Sequence, residues 1–263
     1  MLPPVPFPEH GKTALVVAHP GHELRVHGLV SRLRPLVFIL TDGSGRTGRS
    51  RLPASLELLA QAGARPGEIF GLFSDHELYE ALLARDASPF IEIVERLRDS
   101  FVHSGLERVL GDACEGYNPA HDVCRLLIDA AVTQARAAGA TIGSFAFSLV
   151  GPPDGGALHA SSVERIPLSP EEFASKLQAA NRYEGLDDEV RRALAVDGAE
   201  AFRTEWIWEV DPATSGKPFS GALPYETFGE ERVKSRFYRE VIRYDTHIRP
   251  LAEALAAMSR STA

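Results

Sequence analysis

Cysteine is nearly absent: Cys114 and Cys124 are the only two in 263 residues. Two thiols cannot build a disulfide framework, and they fit a reducing compartment. They flank His121, which leaves a soft-metal role open to them. Basic excess is missing too. Lys and Arg number 28 against 36 Asp and Glu, a formal net charge of −8, so the chain lacks the positive field that draws a protein to nucleic acid or an anionic membrane. No apolar stretch approaches the ~20 residues of a membrane span. The opening MLPPVPFPEHGK lacks the basic-then-apolar order of a signal peptide. These absences predict a cytoplasmic protein that binds neither nucleic acid nor a membrane, and leave the oligomeric state open. Internal repeats and low-complexity tracts are also missing.

What is present is alternation. Apolar strand-like runs at 14–18, 36–40, 68–72, 108–110 with its continuation, and 141–150 are separated by helix-like stretches at 23–33, 54–62, 90–101 and 121–138. Strands alternating with helices predict an α/β, Rossmann-like three-layer fold with a mainly parallel sheet. The core is expected over 12–150. Gly151-Pro-Pro-Asp-Gly-Gly156 breaks the pattern. Residues 151–263 are read as a C-terminal elaboration that packs on the core and shapes its pocket within one structural domain. In that part Ser169-Pro-Glu-Glu172 carries helix-start signals, 187–194 looks helical, Trp206-Ile-Trp208 suggests a strand, and 232–258 is mostly helical with an interruption at Pro250.

The chemistry gathers at Thr13-Ala-Leu-Val-Val-Ala-His-Pro-Gly-His-Glu23. An apolar strand ends there in two histidines three residues apart, at the carboxyl end where open α/β sheets place their ligands. His19 and His22 together can share a metal ion. A catalytic zinc needs a third protein ligand from a distant segment, and His121 is the best candidate. A second pattern, Gly43-Ser-Gly-Arg-Thr-Gly48, matches the dinucleotide turn G-x-G-x-x-G. It follows the second strand instead of the first, and Arg49, Arg51 and Pro53 delay the helix, so a flexible loop is the plainer reading and an NAD(P)-dependent oxidoreductase an alternative. Arg46, Arg49 and Arg51 offer guanidinium donors to an anionic or sugar-linked substrate.

The order strand, His-Pro-x-x-Glu, second strand ending in Thr41-Asp42-Gly43, then a distant His opening a helix, resembles the PIG-L/LmbE family of zinc-dependent N-deacetylases. Ala18-His-Pro-Gly-His-Glu23 stands where that family has Ala-His-Pro-Asp-Asp-Glu, and Asn118-Pro-Ala-His121 where it has His-Pro-Asp-His. The resemblance implies that His19 and His121 bind zinc and that His22 replaces the family's zinc-binding aspartate. It also implies that Gly21 replaces the general base, while Asn118 and Ala120 replace the histidine and aspartate that tune the reaction.

Three neutral imidazoles leave a metal more Lewis-acidic than a set containing aspartate, and such a zinc brings water to a pKa of about 7. Activity therefore survives on paper. Replacement proton carriers are sought among Glu23, Asp42, Asp112, Glu115 and Asp122, with Glu115 favoured because its loop precedes His121. Asp42 is expected either to orient a histidine or to satisfy its own turn, and Asn118 either to steady an oxyanion or to form a turn. The leading expectation is a hydrolase using Zn2+ or another divalent metal to remove an acyl group from an amide on a small, sugar-like substrate. The alternative is a relative that binds metal or regulates without catalysis.

Overall fold

The computed structural model describes residues 12–45, 47–155, 160, 162–213, 222–236 and 238–261. Its centre is a seven-stranded sheet ordered β3-β2-β1-β4-β5-β7-β6, from β1 (Thr13–Val17), β2 (Leu36–Thr41), β3 (Arg65–Phe73), β4 (Arg108–Asp112), β5 (Gly143–Phe147), β6 (Val163–Pro167) and β7 (Thr204–Glu209). The first five strands run parallel. β7 and β6 continue the same sheet antiparallel to them.

Alternation within single strands builds the layers, because successive strand side chains point to opposite faces. From β1, Ala14 and Val16 enter one buried cluster with Phe38, Leu40, Leu97, Phe101, Leu127 and Ile128. Leu15 and Val17 enter the other with Leu29, Val30, Leu58, Leu59 and Ile207. The first face is covered by α3 (Asp75–Ala84), α4 (Ser88–His103), α5 (Pro119–Ala137) and α9 (Arg249–Ser261); the second by α1 (His27–Leu33), α2 (Leu52–Ala62) and α6 (Pro170–Arg182). The remaining helices are α7 (Asp187–Asp197) and α8 (Pro224–Lys234). This is the three-layer Rossmann-like fold expected. The strand order reverses between β1 and β4, and that switch point is where such sheets open a ligand crevice.

Several elements differ from the sequence reading. The helix expected over 23–33 begins as a 3₁₀ turn, His22–Val26, before α1. α3 and β6 were not anticipated. β3 starts three residues before its apolar run, at Arg65-Pro66-Gly67, because it is an edge strand and an edge tolerates proline. Pro250 does not interrupt a helix. It sits in the first turn of α9, where its missing N–H costs nothing, and the break falls before the π-helical turn Tyr244–Ile248. Gly43, Gly45 and Gly48 all have positive φ, and the helix begins only at Leu52, so the glycines build a loop and not a helix-opening dinucleotide turn.

Candidate metal centre

His19 follows β1, His22 opens the 3₁₀ turn, and His121 lies in the first turn of α5. The three imidazoles meet edge to face, with centroids 5.3 Å apart for His19 and His22, 5.4 Å for His19 and His121, and 4.6 Å for His22 and His121. Rings held tetrahedrally on one zinc at N–Zn of about 2.0–2.1 Å would have centroids about 5 Å apart. Among the described residues, no three His, Cys, Asp or Glu side chains are already closed to metal-binding spacing. Lone pairs aimed at one point repel, and edge-to-face packing relieves that repulsion. The trio is therefore a set of donor residues of the right kind whose rings meet but are not closed on one point.

Neighbours fix two of the rings. His19 Nδ1 lies 2.8 Å from Thr41 Oγ1 and 3.1 Å from Asp75 Oδ1. His22 Nδ1 lies 2.9 Å from Asp112 Oδ2, which also accepts the Ala18 backbone N–H at 2.8 Å. His121 Nδ1 is buried without a hydrogen-bond partner, an atom the fold leaves for something else. Burial pushes the pKa of His22 and of His121 well down, and the neighbouring histidines push them further, joined at His22 by Arg51 and Arg25. Both are neutral near pH 7, the form a metal requires. Burial raises Asp112 to about 6 despite His121 and the Ala18 N–H. At Asp75, burial also pushes upward, but His19, Thr41 and the Gly45 N–H outweigh it and hold the carboxyl below its usual range.

The other candidates are placed as follows. Glu23 is fully buried and braces the turn: Oε2 accepts the Gly21 N–H at 2.8 Å, and Oε1 accepts from Ser55 and from Tyr183 at 3.2 Å. Asp42 makes an Asx-type turn to the Ser44 N–H at 2.9 Å; the hydroxyl that meets His19 belongs to Thr41 beside it. Asn118 caps α5, its Oδ1 accepting from the Ala120 N–H at 2.9 Å and the Tyr79 hydroxyl at 3.3 Å, which leaves only its amide nitrogen for a ligand. Asp122 Oδ1 accepts the backbone N–H groups of Glu115 and Gly116. Glu115 is half-buried and accepts the Leu149 and Val150 N–H groups at 3.2–3.4 Å. Burial lifts it to about 7, with Arg25 opposing and Asp112 reinforcing.

Arg51 lies close enough for its charge to depress His22, whereas Arg49 is exposed on the loop and Arg46 lies outside the described residues. Both cysteines are held as thiols, since burial pushes each pKa up. Sequence reasoning missed Asp75 altogether. Its one signal was Ser74-x-x-Glu77, a capping box that starts α3. Asp112 was considered only as a proton carrier, not as a partner of His22.

At Gly21, φ is +107°, and a Cβ there would lie 2.2 Å from Leu186 Cδ1 and 3.5 Å from Tyr183 Cε1. The Leu186 side chain, in the connection between α6 and α7, would thus have to turn aside for a side chain at position 21, on a backbone that already disfavours one. A separate hollow of about 260 Å³, lined by residues including Phe101, Leu106 and Thr141, opens at the amino ends of β4 and β5, away from the histidines.

No family model matches the chain, and no curated protein matches it. Solved structures similar to it include a deacetylase–bog complex in the biosynthesis pathway of teicoplanin, 13% identical with TM-score 0.49, covering 75% of this chain and 97% of that one. Another is the antimicrobial reagent A40926 pseudoaglycone deacetylase, at 19% and 0.44, covering 76% and 97%. A third is the zinc-inhibited form of teicoplanin deacetylase, at 12% and 0.40, covering 75% and 97%.

Proposed function

We propose that the chain is a zinc-dependent hydrolase that removes an acyl group from an amide on a small, sugar-like substrate, as a divergent relative of the PIG-L/LmbE deacetylases. The observation that carries this is the meeting of three imidazoles, those of His19 and His121 buried and that of His22 half-buried, at the switch point of the sheet. His19, His22 and His121 would hold the metal. When bound, zinc supplies Lewis acidity, polarising an acyl carbonyl and acidifying water.

The chain's own groups do the rest. Thr41, Asp75 and Asp112 orient the rings. Glu115 is the group we assign to proton transfer, since a carboxyl titrating at about 7 gives and takes a proton readily at neutral pH, whereas Glu23, Asp42 and Asp122 are engaged by their own turns. Arg51, whose charge reaches His22, would meet the polar body of a substrate there. The sugar-like class rests on the sequence motifs.

A screen of N-acetyl sugars, sugar conjugates and simple acyl esters tests the reading. Turnover lost in His22→Ala supports it; no turnover of any acylated compound by zinc-loaded protein rejects it. The left-handed backbone at Gly21, where no base stands, favours a second reading, a metal-binding relative without catalysis, and the same screen separates the two.

A further inference from the structure

Asp112 ends β4 where the sheet order reverses, and its two oxygens are used unequally. Oδ2 is fixed between the Ala18 N–H and His22 Nδ1. Oδ1 is buried with no hydrogen-bond partner, and so is Nδ1 of His121. Buried polar atoms are almost always paired in folded proteins; Asp112 holds His22 at 2.9 Å and the His121 ring lies 4.6 Å from that of His22, so two orphans on groups flanking one ring mark a contact the fold holds in reserve.

The tautomers follow from proton counting. Asp75 Oδ1, an acceptor, lies 3.1 Å from His19 Nδ1, so in this contact the ring must donate through Nδ1–H. Asp112, an acceptor, likewise requires Nδ1–H from His22. Both rings therefore keep a lone pair on Nε2. His121 would match them only if its Nδ1–H found an acceptor.

Resting on the reading of the trio as a metal site, we infer that Asp112 is its positioning residue and braces two ligands at once. Oδ2 holds His22, and Oδ1 takes the Nδ1–H of His121 when that ring turns to meet a divalent cation. The arrangement places a carboxylate behind the imidazoles of a site that has no anionic ligand, making the Nε2 atoms better donors.

The test uses the full chain with zinc, read by chelator competition and by ¹⁵N spectra of the imidazole nitrogens. Zinc-loaded wild type is expected to carry the ring proton on Nδ1 of His22 and His121. Asp112→Asn is expected to weaken zinc affinity by about 10–100-fold and to release the His121 tautomer. Unchanged zinc affinity in a folded Asp112→Asn protein overturns the inference while leaving the metal site standing. If that variant does not fold, the wild-type spectrum decides: a His121 proton on Nε2 in the zinc form overturns it. Wild type that takes up no zinc overturns both this inference and the proposed function.

Discussion

Gly21 separates what the motif promises from what the chain can do. The resembled family keeps its base at this position, yet here the backbone is left-handed and Leu186 Cδ1 stands 2.2 Å from where a Cβ would be. Gly21→Asp should therefore lower stability by about 1–3 kcal/mol in urea unfolding instead of restoring a base. Leu186→Ala in the same chain should return part of that loss. A Gly21→Asp protein as stable as wild type would contradict the contact. Glu115→Gln tests the proton-transfer assignment: kcat should fall by about 10²–10⁴-fold with zinc content unchanged, and an unaltered kcat removes Glu115 from the chemistry. At this scale the meeting of the three histidines was legible because they sit on short motifs at strand and helix ends. Thr41, Asp75 and Asp112 were not, because what they do depends on which strand ends lie side by side.

Among the elements, the elaboration after residue 151 is tied to the core by a buried polar knot. Glu205 on β7 is fully buried; it accepts the Gly28 and Leu29 N–H groups at the start of α1, at 2.8 and 2.9 Å, and Lys176 Nζ of α6 at 2.8 Å. Lys176 also donates to the Arg25 carbonyl at 2.8 Å. Removing the cation leaves a buried carboxylate without its partner, so Lys176→Met should cost about 3–5 kcal/mol, measured by denaturant unfolding; a loss within error of zero would show the pair to be solvated. The parallel strands β1, β2 and β4 were legible as apolar runs because both of their faces are covered. β6 was not, since an edge strand reading Val-Glu-Arg-Ile-Pro buries only Ile166 and carries no apolar signal. α3 announces itself by a capping box whose importance becomes visible only once Asp75 is seen beside His19.

Over the whole molecule, stability should follow pH in a way that Glu115 reports. Its folded pKa of about 7 lies above that of an unfolded carboxyl, so the folded state binds the extra proton, and the stability this adds is lost as pH rises through about 7. Glu115→Gln lacks that loss. Its stability relative to wild type should thus increase between about pH 5 and about pH 8; a difference independent of pH would contradict the buried environment assigned to the carboxyl. His22 and His121 act in the opposite sense, because their depressed pKa values make the unfolded chain bind more protons below about 6.5. The three-layer architecture was readable from alternation alone, whereas the joining of β7 and β6 to the same sheet was not, since antiparallel pairing across a long connection leaves no periodic trace.

Metal content decides whether the histidines are a centre or only neighbours. After zinc reconstitution and removal of excess by gel filtration, elemental analysis should find stoichiometric zinc in the wild-type chain and almost none in the His121→Ala chain. Wild type without stoichiometric zinc, or His121→Ala retaining it in full, would contradict the three-histidine site.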